Sequence, residues 1–348
     1  MRRISRITVA GAATASLALA LSACGSTSTS GSSDSKGDKG LAIAYDVGGK
    51  GDQSFNDAAY AGLERAQKEF GYQTADVEPT EGETDADKEQ RLVSLAKQGY
   101  NPVIGVGYAY AAAVKGAAEK FPKTTFGIVD DATINTKNVA DLVFSEEQAS
   151  YLAGVAAAKS TKSNVVGFVG GVDIPLIHKF QAGFAQGVKD TNPKVKVLSQ
   201  YLTQTAEEGG FSSPDKGKTA AEGQIEKKAD VVYAAAGLSG QGVIEAAAAK
   251  KVWAIGVDSD QYKQAALAKY KDSILTSAMK DVAKAVYNLA KSVEDGKPET
   301  GIVRGDLKTG EVSLSDSNPK FADDAELQEA IKTAKEKIIS GEIKVKSS

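Results

Sequence analysis

Residues 41–70 run LAIAYDVGGKGDQSFNDAAYAGLERAQKEF. Leu41-Ala42-Ile43-Ala44-Tyr45 is an apolar run of strand length, Asp46 to Asn56 a glycine-rich loop, and the remainder to Phe70 a helical stretch opened by that loop. The pattern recurs along the chain. Apolar runs stand at 103–106, 125–129, 165–169, 231–234 and 253–257. Ala/Lys/Glu-rich helical stretches lie at 85–98, 108–120, 146–158, 178–190, 215–228, 241–250 and 278–293. Strand and helix alternating at this spacing predict an α/β fold with parallel sheets and crossover helices. Strands apolar throughout are those covered on both faces. Two sheets are expected, one from Leu41 to about Val143 and one from about Val165 to Val257, with Ser273–Lys280 as a return crossing. Two such lobes joined by several crossings make a hinged cleft, with ligands at the carboxyl ends of the strands.

The N-terminus has a different composition. Arg2, Arg3 and Arg6 precede an apolar segment from Ile7 to Leu21, and Leu21-Ser22-Ala23-Cys24 contains the single cysteine of the chain. This box resembles the lipobox of bacterial lipoproteins and implies a signal peptide over 1–23 and a lipid-bearing Cys24. Residues 24–40 are mostly Gly, Ser and Thr, a flexible tether. The expected organisation beyond it is a first lobe over 41–145 with a return segment of about 278–310. The second lobe takes 146–277 and about 311–348. Without the three arginines, 39 basic residues face 45 acidic ones, a net charge of −6. That balance argues against nucleic acid as a partner. One cysteine and one histidine, His178, exclude intramolecular disulfides, thiolate clusters, multi-His metal sites and several familiar catalytic triads.

Functional residues are expected just after the strands. Asp46 opens the glycine loop, which carries neither a Walker nor a G-x-G-x-x-G arrangement. Phe55, at the start of a helix, reads on residues alone as a core or staple residue. Asp130 and Asp131 follow the third strand and Asp258 follows 253–257, as hydrogen-bonding carboxylates or as helix caps. Gly237 allows close backbone approach, and Lys280 is a cleft cation or ordinary surface. Phe211 sits in a polar, glycine-rich loop with no core to fill, which favours a ligand contact. His178, at a helix start, reads as a cap or surface residue.

Together, Asp46–Leu63, Asn138–Gly154, Val166–Lys189, Ala234–Ala246, Ile255–Gln261 and Ser277–Lys280 resemble the basic membrane protein family of lipoproteins. These are the nucleoside-binding components of ABC-type importers. The resemblance implies a type I periplasmic-binding-protein-like fold: two Rossmann-like lobes around a hinged cleft. It implies that Phe55 and Phe211 sandwich a purine base, that Asp130 (or Asp131) faces the base, and that Asp258 and Lys280 hold the ribose hydroxyls. Asp46, Asn56 of the Ser-Phe-Asn string and Gly237 complete the pocket. The loop GGFSSPDKG departs from the family's more usual Asp-Pro form, and the likeness fades beyond about Gly301. The implied protein is a monomeric, non-enzymatic carrier without cofactor. It would be lipid-anchored on the extracytoplasmic face of the cell membrane and deliver its nucleoside to a permease. A sugar or autoinducer receptor on the same fold, and an extracytoplasmic nucleoside hydrolase, are the alternatives. The hydrolase is disfavoured because the aspartates are divided between two lobes.

Overall fold

The computed structural model describes residues 39–348; the expectations for the signal segment, Cys24 and most of the tether lie outside them. In chain order the first elements are β1 (Lys39–Ala44), α1 (Phe55–Phe70), β2 (Gln73–Val77), α2 (Asp85–Lys97), β3 (Val103–Gly105), α3 (Ala111–Lys120), β4 (Phe126–Val129) and β5 (Val139–Phe144). Then come α4 (Glu146–Ser160), β6 (Val165–Val172), α5 (Pro175–Thr191), β7 (Lys196–Thr203), α6 (Pro214–Glu226), β8 (Val231–Ala235), α7 (Ser239–Lys250) and β9 (Trp253–Asp258). The chain ends with β10 (Ile274–Lys280), α8 (Val282–Glu294), β11 (Gly301–Gly305), β12 (Val312–Leu314), α9 (Pro319–Ala322) and α10 (Ala325–Ile339).

The strands form two six-stranded sheets, ordered β11-β5-β4-β3-β1-β2 and β12-β10-β9-β8-β6-β7. Every pairing in the first sheet is parallel. In the second only the short β12 runs antiparallel, against β10. The α/β class with parallel sheets therefore holds. Central strands such as β4 and β8 are buried along their whole length, as strands covered by helices on both faces must be.

The chain passes between the sheets three times: at Ser145, at Asp281 and over 306–311. The return crossing expected at Ser273–Lys280 lies further on, because Ile274–Lys280 is itself a strand of the second sheet. Pairing with β9 and β12 holds 274–280 extended, so the helix expected from 278 begins at Val282. Its cap is Asp281, whose carboxylate accepts from the Lys284 N–H at 2.8 Å. The crossings are bonded to one another. Ser145 N–H donates to the Gly305 carbonyl at 2.9 Å and Asp281 N–H to the Glu311 carbonyl at 2.7 Å.

α4, which follows the first crossing, is buried from Ala149 through Ala158. It packs so closely on α5 that a Cβ on Gly187 would lie 2.1 Å from the Tyr151 carbonyl oxygen. Glycine here sets the approach of the two backbones. No described helix is long and apolar enough to cross a membrane.

Candidate functional site

The carboxyl ends of β1, β4, β8, β9 and β10 converge on one cleft, with about 530 Å³ of empty space including its solvent-open mouth. Asp46, Phe55, Asn56, Asp130, Phe211, Gly237, Asp258 and Lys280 all line it.

The glycine loop after β1 is organised by a carboxylate that the sequence reading passed over. Asp52 accepts hydrogen bonds from the Ser54, Asn56 and Asp57 N–H groups at 2.9, 2.8 and 3.2 Å. It thereby caps α1 in place of Ser54, whose side chain makes no cap bond. Asn56 lies at the cavity wall with both ends of its amide engaged. Its Nδ2 donates to Asp52 at 3.2 Å and its Oδ1 accepts from the Asp46 N–H at 3.0 Å. Released from capping, the Ser54 hydroxyl donates to Asp258 at 2.8 Å. Ser259 donates to the Ser54 carbonyl at 2.7 Å and Gln261 to the Gln53 carbonyl at 3.0 Å. The loop that presents Phe55 is thus tied to the end of β9 in the second sheet. Close under Asp46 runs Gly107, at φ 98°. A Cβ there would stand 2.3 Å from the Asp46 carboxylate, so the position is closed to side chains.

Asp130 and Asp258 occupy corresponding places at strand ends and share an uncommon backbone, with φ of 67° and 63°. Left-handed aspartates at the mouths of two sheets are of the kind that surrounding structure must hold in place. Lys280 joins them. Its Nζ donates to Asp130 at 2.6 Å and stands 3.6 Å from Asp258. The side chains of Lys280 and Asp130 are each 4 % exposed. The second oxygen of Asp130 and one of Asp258 are buried without a hydrogen-bond partner. Such orphaned acceptors are costly unless something supplies a donor. Asp131 turns away and accepts from Thr133, so of the two neighbours Asp130 faces the cavity.

The charges are strongly perturbed. Burial pushes the Asp46 carboxyl up to about 7 and Asp52 up to about 6. It also raises Asp130, against the pull of Lys280. Burial alone would lower Lys280, yet Asp130, Asp258 and Glu146 override it and hold the ammonium above the ordinary lysine range. Glu146 is pushed up to about 7, by burial first and by Asp130 next. In the unfolded chain such carboxyls titrate near 4. Between that pH and about 7 the folded protein retains protons the unfolded chain has lost, so stability falls as pH rises. Carboxyls held below their ordinary values, such as Glu83 and Asp87, act only below this window. The melting temperature is therefore expected to be higher at pH 5.5 than at pH 8.0. A higher value at pH 8.0 would contradict these assignments.

The larger apolar walls missing from the sequence reading are Tyr108, and Leu176, Ile177 and Phe180 of α5. With the two ligand candidates Phe55 and Phe211, Tyr108 and Phe180 bring the aromatic residues of the cavity wall to four. The Phe211 ring lies so close to the β6 backbone that a Cβ on Gly171 would fall 2.4 Å from it. His178 is not in the cavity wall; its Nε2 pairs with Asp173 at 2.6 Å and its ring meets Tyr201 edge-on. Among the described residues no group of three or more His, Cys, Asp or Glu could hold a metal ion. The site offers aromatic faces, carboxylate acceptors and one ammonium donor, a set suited to a flat, hydroxyl-bearing molecule.

Residues 40–348 match the family model Bmp, described as ABC transporter substrate-binding protein PnrA-like. The chain is 37% identical over 329 residues to the ABC transporter nucleoside-binding protein BmpA of Lactococcus lactis, with 90% of each chain covered. It is 34% identical over 291 residues to an uncharacterised lipoprotein of Pyrococcus abyssi, covering 79% of this chain and 69% of that one. Among solved structures, an ABC transporter system solute-binding protein from Aeropyrum pernix superimposes with a TM-score of 0.76 at 28% identity. That superposition covers 89% of this chain and 94% of the other.

Proposed function

This chain belongs to the Bmp family of PnrA-like ABC transporter substrate-binding proteins, and we propose that its cleft takes a nucleoside, preferentially a purine nucleoside, for delivery to a membrane permease. The observation that carries this reading is the grouping of Phe55 and Phe211 with Asp258 and Lys280 around one cavity. Two aromatic faces suit a base, and each base–aromatic stack contributes about 1–3 kcal/mol. A carboxylate beside an ammonium suits a vicinal diol: Asp258 accepts from hydroxyls and Lys280 donates to them. Asp130, with an unpartnered oxygen, would accept from a ring N–H or an exocyclic amine. Asp46, Asp130 and Asp258 against one lining ammonium repel phosphates, so nucleotides are poor ligands. The nucleoside-binding relative in Lactococcus supports the same choice.

In this reading the two sheet-centred lobes close about the three crossings, and ligand contacts from both sides shift the population toward the closed form. The protein performs no chemistry on what it carries. It is a monomer tethered through Cys24 on the extracytoplasmic face, in keeping with a relative labelled a lipoprotein. Calorimetric titration of the chain with inosine, inosine monophosphate and ribose tests the ligand. Saturable binding of inosine, at least 100-fold tighter than its monophosphate or ribose, is the expected result. Binding of ribose alone would move the site to the sugar receptors, and release of free hypoxanthine during the titration would make it a hydrolase.

A further inference from the structure

Behind the cavity lies an ionisable group that ligand contacts do not use. Glu146 is the first residue of α4, directly after the first crossing, and is 1 % exposed. Its Oε2 accepts from Lys179 of α5 at 3.3 Å, and its Oε1 has no hydrogen-bond partner. Lys280 ends β10 directly before the second crossing. Glu146 and Lys280 thus carry opposite charges at two of the three points where the halves of the molecule join, and Glu146 is one of the three carboxylates that hold Lys280 charged. The charge count has a sidedness. Asp258, Glu146, Lys179 and Lys280 all belong to the half built on the second sheet and sum to zero. Asp130 belongs to the first half, and its bond to Lys280 adds one negative charge to a neutral cluster that is buried except for Lys179, whose side chain is 29 % exposed. A buried excess charge is expensive, and a protonatable neighbour relieves it.

We propose that Glu146 is a positioning residue that takes up a proton as the cleft closes, leaving the Lys280 ammonium to Asp130 and Asp258 at the place where the ligand's diol is held. Among the oxygens of the cluster, Oε1 of Glu146 is buried, unpartnered and outside the cavity wall, so it can be protonated without disturbing a ligand. The other groups facing it are Lys179 from α5, Asp130 from the end of β4, Lys280 from β10 and Tyr233 from β8. The Tyr233 hydroxyl is bonded to Ser150 at 3.1 Å and burial holds it un-ionised. The elevation of Glu146 to about 7, to which Asp130 contributes, agrees with the same coupling. Because the closed form holds more protons, affinity is full at acid pH and falls as pH rises through 7, by at most tenfold per unit per proton. Asp46, also near 7, titrates in this window as well, so the slope must be apportioned by substitution.

This inference rests on the nucleoside reading, and inosine is the probe. The full chain and its Glu146→Gln variant are titrated with inosine from pH 6 to 8.5, in pairs of buffers of different ionisation enthalpy that reveal protons taken up on binding. The expected result is a wild-type affinity that falls toward high pH. Glu146→Gln is expected to remove that dependence, so that its affinity relative to wild type grows roughly tenfold between pH 6 and pH 8.5. A pH profile unchanged by the substitution, or a loss of affinity equal at every pH, overturns the proposal. Lys179→Met serves if Glu146→Gln fails to fold. Removing the lysine raises the Glu146 carboxyl further, so the fall in affinity should move to higher pH, and a profile that stays in place refutes the coupling. Failure of the wild-type chain to bind inosine at all would instead bring down the nucleoside reading itself.

Discussion

Lys280→Met should abolish nucleoside binding and remove about 3–5 kcal/mol of stability from the empty protein, the range found when one partner of a buried ion pair is deleted. Shape is not the reason. The Lys280 ammonium lies 4.6, 5.5 and 5.8 Å from the ring centres of Phe55, Phe180 and Phe144, surroundings that a methionine side chain suits well. What is lost is the buried cation that Asp130, Asp258 and Glu146 share; Lys179 stays on Glu146, and Asp130 and Asp258 would be left buried without their ammonium. The sign of the pH dependence follows. Without the lysine the Asp130 and Glu146 carboxyls, already raised by burial, rise further, so the variant's deficit is small at pH 5 and grows as pH rises toward 8. Urea unfolding at both pH values measures this. An equal deficit at both would mean that packing, not charge, is the role of Lys280.

Phe55→Ala should weaken inosine binding by roughly five- to 150-fold, the equivalent of one base stack of about 1–3 kcal/mol, with a much smaller effect on folding. The two readings of this residue diverge here. As a core phenylalanine its truncation would cost about 3–5 kcal/mol of stability. Its ring, however, borders empty space, and a side chain facing a cavity has fewer neighbours to lose. Calorimetry beside a urea titration separates the two. Unchanged affinity with a large loss of stability would return Phe55 to the core and leave Phe211 and Phe180 as the aromatic surfaces of the site.

The contrast between β4 and β2 shows what the chain made legible. Phe126–Val129 is buried at every position, so its residues are apolar throughout and stand out. Gln73–Val77 lies at a sheet edge and is half exposed; its sequence QTADV has no apolar run to detect. The same holds for β7 and for β11, which completes the first sheet from more than 150 residues beyond β5 and carries an exposed Ile302. In the site, Asp46, Asp130 and Asp258 could be located because they end strands. Phe180 could not. With Leu176 and Ile177 it forms the apolar stripe at helical spacing that any core-facing helix shows, and only the tertiary arrangement turns it toward a cavity. Asp52 had a local signal: an aspartate whose side chain can bond N–H groups two or more residues on, just ahead of a helix. Among glycines and polar residues it passed for a solvated loop charge. The late start of α8 was similarly hidden, since Ala278, Met279 and Lys280 all favour helix locally and only pairing with β9 and β12 makes them strand.

The most direct measurement is a crystal structure of the chain grown with inosine. It should hold the hypoxanthine ring between Phe55 and Phe211, Asp130 at a ring nitrogen, and the two ribose hydroxyls on Asp258 and Lys280. Ligand bound outside this cavity, or in it with the ribose turned away from Asp258 and Lys280, would contradict the account.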